Sequence, residues 1–196
     1  SPGGAVYGVQ ELHDIVMAAR GRKPVVAVAN SMCASAAYWV ATAADEIVVT
    51  PGGTVGSIGI VALHEDISKA AELAGVKTTL ITHGENKALG NTFEALSEEA
   101  RKDLQKRVAE YGHMFESAVA RGRGVSIGTV RSEFGQGLMF GAEESVKLGM
   151  ADTVGTLQSV LERLMGNRSG SNPKANVDRD QVAALEFRSR NLRRGA

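Results

Sequence analysis

Residues 25–40 read VVAVANSMCASAAYWV: a β-branched run, a turn of small residues, then an alanine-rich stretch. A continuous apolar run such as Val25–Ala29, set behind Pro24, marks a strand covered on both faces. The small residues after it lead into a tightly packed helix over Ala34–Ala44, with Ser35 near its start. Unpaired N–H groups and the dipole at such a helix start favour negative charge. The same alternation runs from Ala5 to about Leu164. Val6, Val9, Leu12, Val16 and Ala19 share one helical face, and Gly21 ends that helix. Ile47–Thr50, Ile58–Leu63 and Thr78–Thr82 read as further strands. Asp66 reads as the N-cap of a helix ending at Gly75. Ser97 reads as the cap of the longest helix, with Leu104, Val108, Tyr111, Phe115 and Val119 as its buried stripe. Alternation of this kind predicts an α/β fold with a largely parallel sheet.

Composition removes several function classes. The 22 basic residues balance 22 acidic ones, so no global charge calls for a nucleic-acid partner. A single cysteine, Cys33, excludes an intramolecular disulfide framework and a multi-cysteine metal site. The histidines His13, His64, His83 and His113 show no HExxH spacing, and no phosphate loop of the GxxxxGK[ST] type occurs. The expectation is therefore no metal and no cofactor. No apolar run reaches the roughly 18 residues of a membrane span. The chain opens on Ser1-Pro2-Gly3-Gly4, which reads as a fragment whose native N-terminus, with any anchor or targeting segment, lies upstream. Asn167–Pro173, NRSGSNP, has linker composition, and residues 167–196 carry a net charge of +4 against −4 for the rest. The chain divides on this reading into a folded domain over residues 1–166 and a flexible basic tail over residues 167–196.

Three features could carry chemistry. Ser35 sits where an acyl-transfer nucleophile needs fixed donors about 3 Å from a developing oxyanion, although a serine in such a turn also serves simply as an N-cap. Gly3-Gly4 after a proline can aim backbone N–H groups into a site without Cβ obstruction, or form an ordinary turn. Lys87 lies in a loop between Gly84 and Gly90. A lysine there is either solvated or, if burial keeps it neutral, able to take a hydroxyl proton. Cys33, two residues before Ser35, reads as a small packed thiol.

Together these segments resemble the signal peptide peptidase A family of serine peptidases, closest to its phage branch of prohead and minor-capsid proteases. The similarity runs from Ser1 to about Gly155. Ser1-Pro2-Gly3-Gly4 is similar to the family's SPGG loop, and Ser31–Trp39, SMCASAAYW, to its nucleophile segment. Thr54–Gly59, TVGSIG, resembles its VGSIG loop. Gly84–Asn91, GENKALGN, falls where the family carries its general-base lysine. Leu89 stands there where an acidic residue is common before the glycine-asparagine pair. Phe140–Asp152, FGAEESVKLGMAD, is similar to the helix-turn before its last strand.

The resemblance implies a crotonase/ClpP-like α/β fold of stacked ββα units, oligomeric, with a Ser–Lys dyad. Ser35 is then the nucleophile and Lys87 the base, Gly4 and Ala36 supply the oxyanion hole, and Gly3 and Ser57 support the site. It also implies a polypeptide substrate, a homo-oligomer in which the dyad can be shared between subunits, and scaffold or capsid proteins as partners inside a phage prohead in the host cytoplasm. A bacterial, membrane-associated signal peptide peptidase and a catalytically silent capsid-assembly module are the alternative readings. A substrate pocket beside Tyr38 and Trp39 is expected from the helix after Ser35.

Overall fold

Short β-branched runs can be covered only by packing sheets against helices, and the chain does so with two small sheets. The computed structural model describes residues 1–166, within two compact units, Ser1–Leu157 and a second that begins at Gln158. The strands are β1 (Val26–Ala29), β2 (Met32–Ala34), β3 (Glu46–Val49), β4 (Thr54–Gly56), β5 (Met139–Gly141) and β6 (Thr153–Val154). One sheet has the order β1-β3-β6, parallel throughout. The other, β2-β4-β5, is parallel between β2 and β4 and antiparallel between β4 and β5. The helices of the first unit are α1 (Val9–Ala19), α2 (Ala36–Ala41), α3 (Ser68–Leu73), α4 (Glu98–Arg123), α5 (Ile127–Glu133) and α6 (Ala142–Leu148). Helix α7 (Leu157–Gly166) carries the described part of the second unit. The basic tail read over residues 167–196 lies outside the described residues.

Strand alternation decides which side chains enter the core. Cys33, Val55 and Phe140 stand in register across the second sheet and pack inward, while Met32 and Met139 on the neighbouring rows stay partly exposed. Trp39 of α2 stacks on Phe115 of α4 with ring centroids 4.6 Å apart, at 5°. Tyr38 is wholly buried and donates its hydroxyl to Met150 O at 2.8 Å. The backbones of α2 and α4 meet at Gly122, where a Cβ would fall 2.8 Å from Thr42 C and 2.9 Å from Thr42 Cβ. Arg20 then binds the carbonyls that end α2: Nε donates to Ala43 O at 2.8 Å and Nη2 to Thr42 O at 2.9 Å and to Ala44 O. Arg123, 4% exposed, grips Asp152 through two bonds of 2.9 and 2.7 Å, and Asp152 also accepts from Ile47 N at 2.7 Å. A buried fork of this kind fixes where α4 ends relative to β3.

Several sequence expectations hold locally. Ser97 Oγ accepts from Ala100 N at 3.1 Å, with Glu98 and Glu99 in the first turn of α4 and Gly124 ending it in the left-handed conformation. Asp66 acts one residue earlier than expected: its carboxylate accepts from Ser68 N at 2.9 Å, while Ile67 occupies the N-cap of α3.

Others need correction. Ile58–Leu63 and Thr78–Thr82 form no strand; no described strand pairs with them. Between Ile58 and Ala100 no side chain is buried, and Val61, Leu63 and Ile81 stand 90%, 80% and 94% exposed. The stripe on α4 is buried only toward its C-terminal end, at Phe115 and Val119, whereas Leu104, Val108 and Tyr111 are half-buried. Ala34 belongs to β2 rather than to the helix, and Val26–Val28 are half-buried because β1 is an edge strand. On α1 the buried residues are Val9 and His13, with Leu12 49% exposed.

Candidate active site

The transition from β2 to α2 is strained. Ser35 adopts φ 52°, ψ −125°, one of three non-glycine residues with positive φ among those described. A β-carbon in that region costs on the order of 1–3 kcal/mol, so the surroundings must impose it. They do so from both sides. Ser35 N donates to Gly56 O at 2.9 Å, and Ser35 O accepts from Trp39 N at 2.9 Å. Trp39, in turn, is 1% exposed and cannot shift. The result presents a half-buried Ser35 at the head of α2, followed by Ala36, whose N–H has no partner among the described residues.

The N-terminal segment closes over this turn. Ser1 O accepts from Ala34 N at 3.0 Å, so the segment runs beside β2. Gly3, at φ 96°, lies so close that a Cβ there would fall 2.6 Å from Ser35 Cβ and 2.9 Å from both Ala34 O and Ala36 N. Only glycine fits. Gly4 is exposed, with nothing within 4 Å of where its Cβ would lie. On the other side Ser57, at φ 56°, donates its N–H to Leu138 O at 2.8 Å. Because Ala34 pairs with Gly56 in the β2–β4 register, Ser57 follows beside Ser35. The fold thus brings Ser35, Gly3, Gly4, Ala36 and Ser57 into one place.

Lys87 is not joined to them within the single chain. It sits exposed on a turn in which its N–H donates to Gly84 O at 3.2 Å. Neither Lys87 Nζ nor Ser35 Oγ has a hydrogen-bond partner among the described residues. Sequence reasoning passed over the organiser of this loop, Asn91. Its Nδ2 donates to Ala88 O at 2.9 Å and to Glu94 Oε2 at 2.9 Å, its Oδ1 accepts from Phe93 N at 2.9 Å, and its own O lies 2.9 Å from His64 Nε2. An asparagine after glycine was the available signal.

Tyr38 and Trp39 do not line the pocket expected beside them: both are core residues, at 0% and 1% exposure. A helix starting at the site faces it only with its first turn, and these side chains point into the protein. Cys33 packs against the core, and burial pushes its thiol up to about 11. That is far from the range of a reactive thiolate. Among the described residues no cluster of three or more His, Cys, Asp or Glu could hold a metal, and no helix is long and apolar enough to cross a membrane.

Residues 18–169 match Peptidase family S49. The chain is 36% identical over 152 residues to the head-tail preconnector protein GP5 of Enterobacteria phage P21, covering 78% of this chain and 30% of that protein. It is 35% identical over 152 residues to the capsid assembly protease C of Escherichia phage lambda, covering 78% and 34%. It thus spans about a third of the length of these relatives. Among solved structures, a ClpP1 mutant from Listeria monocytogenes aligns with a TM-score of 0.50 at 15% identity, over 82% of this chain and 72% of that one. The ClpP-like α/β fold expected from the sequence is the fold observed.

Proposed function

This chain belongs to Peptidase family S49, and from that premise we propose that it is a serine endopeptidase cleaving polypeptides through an acyl-enzyme. The observation that carries the reading is the strained Ser35 turn, clamped by Gly3 and followed by the unpartnered Ala36 N–H. Strain imposed by a rigid surround is characteristic of sites where a reacting group is held in place.

Neutral Lys87 takes the Oγ proton as Ser35 Oγ bonds the scissile carbonyl carbon. The resulting oxyanion rests against the Gly4 and Ala36 N–H groups, and losing one such donor costs about 3 kcal/mol of barrier. Collapse breaks the C–N bond, and the leaving amine takes the proton from Lys87. Water then attacks the ester, giving its proton to Lys87, which returns it to Ser35 Oγ as the acyl group leaves. Ser57 orients the Lys87 amine. Since Lys87 and Ser35 are not bonded within one chain, the base comes from a neighbouring copy. Exposed apolar side chains between Ile58 and Ala100, among them Val61, Leu63 and Ile81, mark the surface such a copy would cover.

The substrates in this reading are scaffold or capsid-associated proteins of a phage head, within the prohead in the host cytoplasm. The names of the two phage relatives support it. The test is complementation in the assembled protein. Ser35→Ala and Lys87→Ala are each expected to abolish labelling of Ser35 by a fluorophosphonate. Mixed and reassembled together, they should regain about a quarter of wild-type labelling, the fraction of sites pairing an intact serine with an intact neighbouring lysine. No regain in mixed oligomers would remove the shared dyad. No labelling of the wild-type oligomer would favour an inert assembly module.

A further inference from the structure

The peptidase reading makes no use of His13, yet it is an ionisable group with no exposed surface. His13 lies on α1, which packs against both α2 and α4, and it is 0% exposed. Its Nδ1 stands 3.1 Å from Arg121 Nη2 of α4 and 3.3 Å from Asp14 Oδ1, while Asp14 is itself bonded to Arg121. Its Nε2 has no hydrogen-bond partner among the described residues. One nitrogen of the ring therefore meets a guanidinium and a carboxylate, and the other is buried without a partner among the described residues.

A neutral imidazole tolerates this arrangement, because one nitrogen can remain a bare lone pair. An imidazolium cannot: it carries two N–H donors, and although Nδ1–H can donate to Asp14 Oδ1 beside the like charge of Arg121, Nε2–H is buried with no acceptor among the described residues. From these contacts we infer that His13 is an acid-sensitive latch, whose protonation frees α1 from α4 and α2. The charged groups around it are Asp14 and Arg20 on α1 and Arg121 on α4; α2, AAYWVA, presents none.

Burial, the largest cause, holds the His13 pKa below its usual 6.5; the Asp14 hydrogen bond and charge act against this, and Arg121 and Arg20 act with it. A histidine depressed on folding contributes its full stability above about pH 6.5 and loses it as pH falls from there toward the folded value. The consequence reaches the candidate site through the chain itself. Helix α1 follows directly on the segment that seats Gly3 against Ser35, and it packs on α2, whose first N–H is that of Ala36. Releasing α1 loosens both.

Amide exchange of the whole protein tests this without reference to catalysis. Rates corrected for intrinsic pH dependence are compared at about pH 7.5 and about pH 5.5. Peptides covering Val9–Ala19 should exchange several-fold faster at the lower pH in the wild type, up to about the tenfold that one histidine can supply over this range, those covering α5 should not, and His13→Gln should remove the difference. Should His13→Gln weaken the whole fold, the His13 ring resonance in the wild type gives a second reading, with a midpoint below 6.5 that tracks the rise in α1 exchange. A ring midpoint at or above 6.5, pH-independent α1 exchange, or an undiminished pH effect in His13→Gln would overturn the inference.

Discussion

Gly3→Ala isolates the contribution of the N-terminal segment to the site. The new Cβ would meet Ser35 Cβ at 2.6 Å and Ala34 O and Ala36 N at 2.9 Å. Carbon atoms in contact settle at about 3.5–4.0 Å, so the segment must retreat by about 1 Å. The φ of 96° adds on the order of 1–2 kcal/mol for any residue with a Cβ. Because Ser1, Pro2 and Gly4 are exposed, the segment can back away without disturbing the core. Stability should therefore fall by no more than about 2 kcal/mol, a Tm change of about 4–8 °C for a domain of this size. Catalysis is less forgiving, since misplacing a group by about 1 Å can cost about a hundredfold. The assay is the rate of fluorophosphonate labelling of Ser35, alongside thermal melting of the same samples. Gly3→Ala should label about 100-fold more slowly, equivalent to about 2.7 kcal/mol of barrier. Gly4→Ala has no neighbour within 4 Å and keeps its N–H, and it should stay within about threefold of wild type. Wild-type labelling by Gly3→Ala, or an equal loss in Gly4→Ala, would refute the assignment of this segment to the site.

Lys87→Arg should lose labelling by at least about 100-fold at every pH, since a guanidinium cannot act as the neutral base; near-wild-type rates would exclude that role. Gly122→Ala should destabilise the protein by about 2 kcal/mol in thermal melts despite the better helix propensity of alanine, because its Cβ would overlap the backbone of Thr42; a raised Tm would contradict the close approach of α2 and α4. Cys33, with its thiol near 11, becomes reactive only as pH climbs toward that value. Alkylation by iodoacetamide near pH 8 should therefore run about 100-fold slower in the folded protein than in urea, and comparable rates would show the thiol to be accessible and ionised.

How far the sequence could be read depended on whether each signal was satisfied within its own neighbourhood. The strand and helix within residues 25–40 could be placed because the apolar run and the alanine-rich stretch each agree locally; the small residues between them, read as a turn, form β2 because β4 pairs with them. Ser97 could be identified as a cap because capping needs only three residues of context. Ile58–Leu63 and Thr78–Thr82 failed for the opposite reason. Their composition is that of strands, but a strand exists only with a partner, and the described residues provide none. Tyr38 and Trp39 were misplaced because periodicity shows that a helix has an apolar face, not which way that face turns relative to a nucleophile at its start.

Sequence alone determined the α/β alternation and the position of Ser35 between strand and helix. Those follow from propensity and spacing, which are properties of adjacent residues. Only the tertiary structure decided that Gly3 presses on Ser35 from 32 positions away, that Ser35 and Ser57 share a strained row, and that Lys87 is exposed. It likewise decided that Gly122 marks a helix crossing and that His13 is sealed inside. Each of these depends on which distant backbone fills the remaining space, and close packing settles that for the chain as a whole.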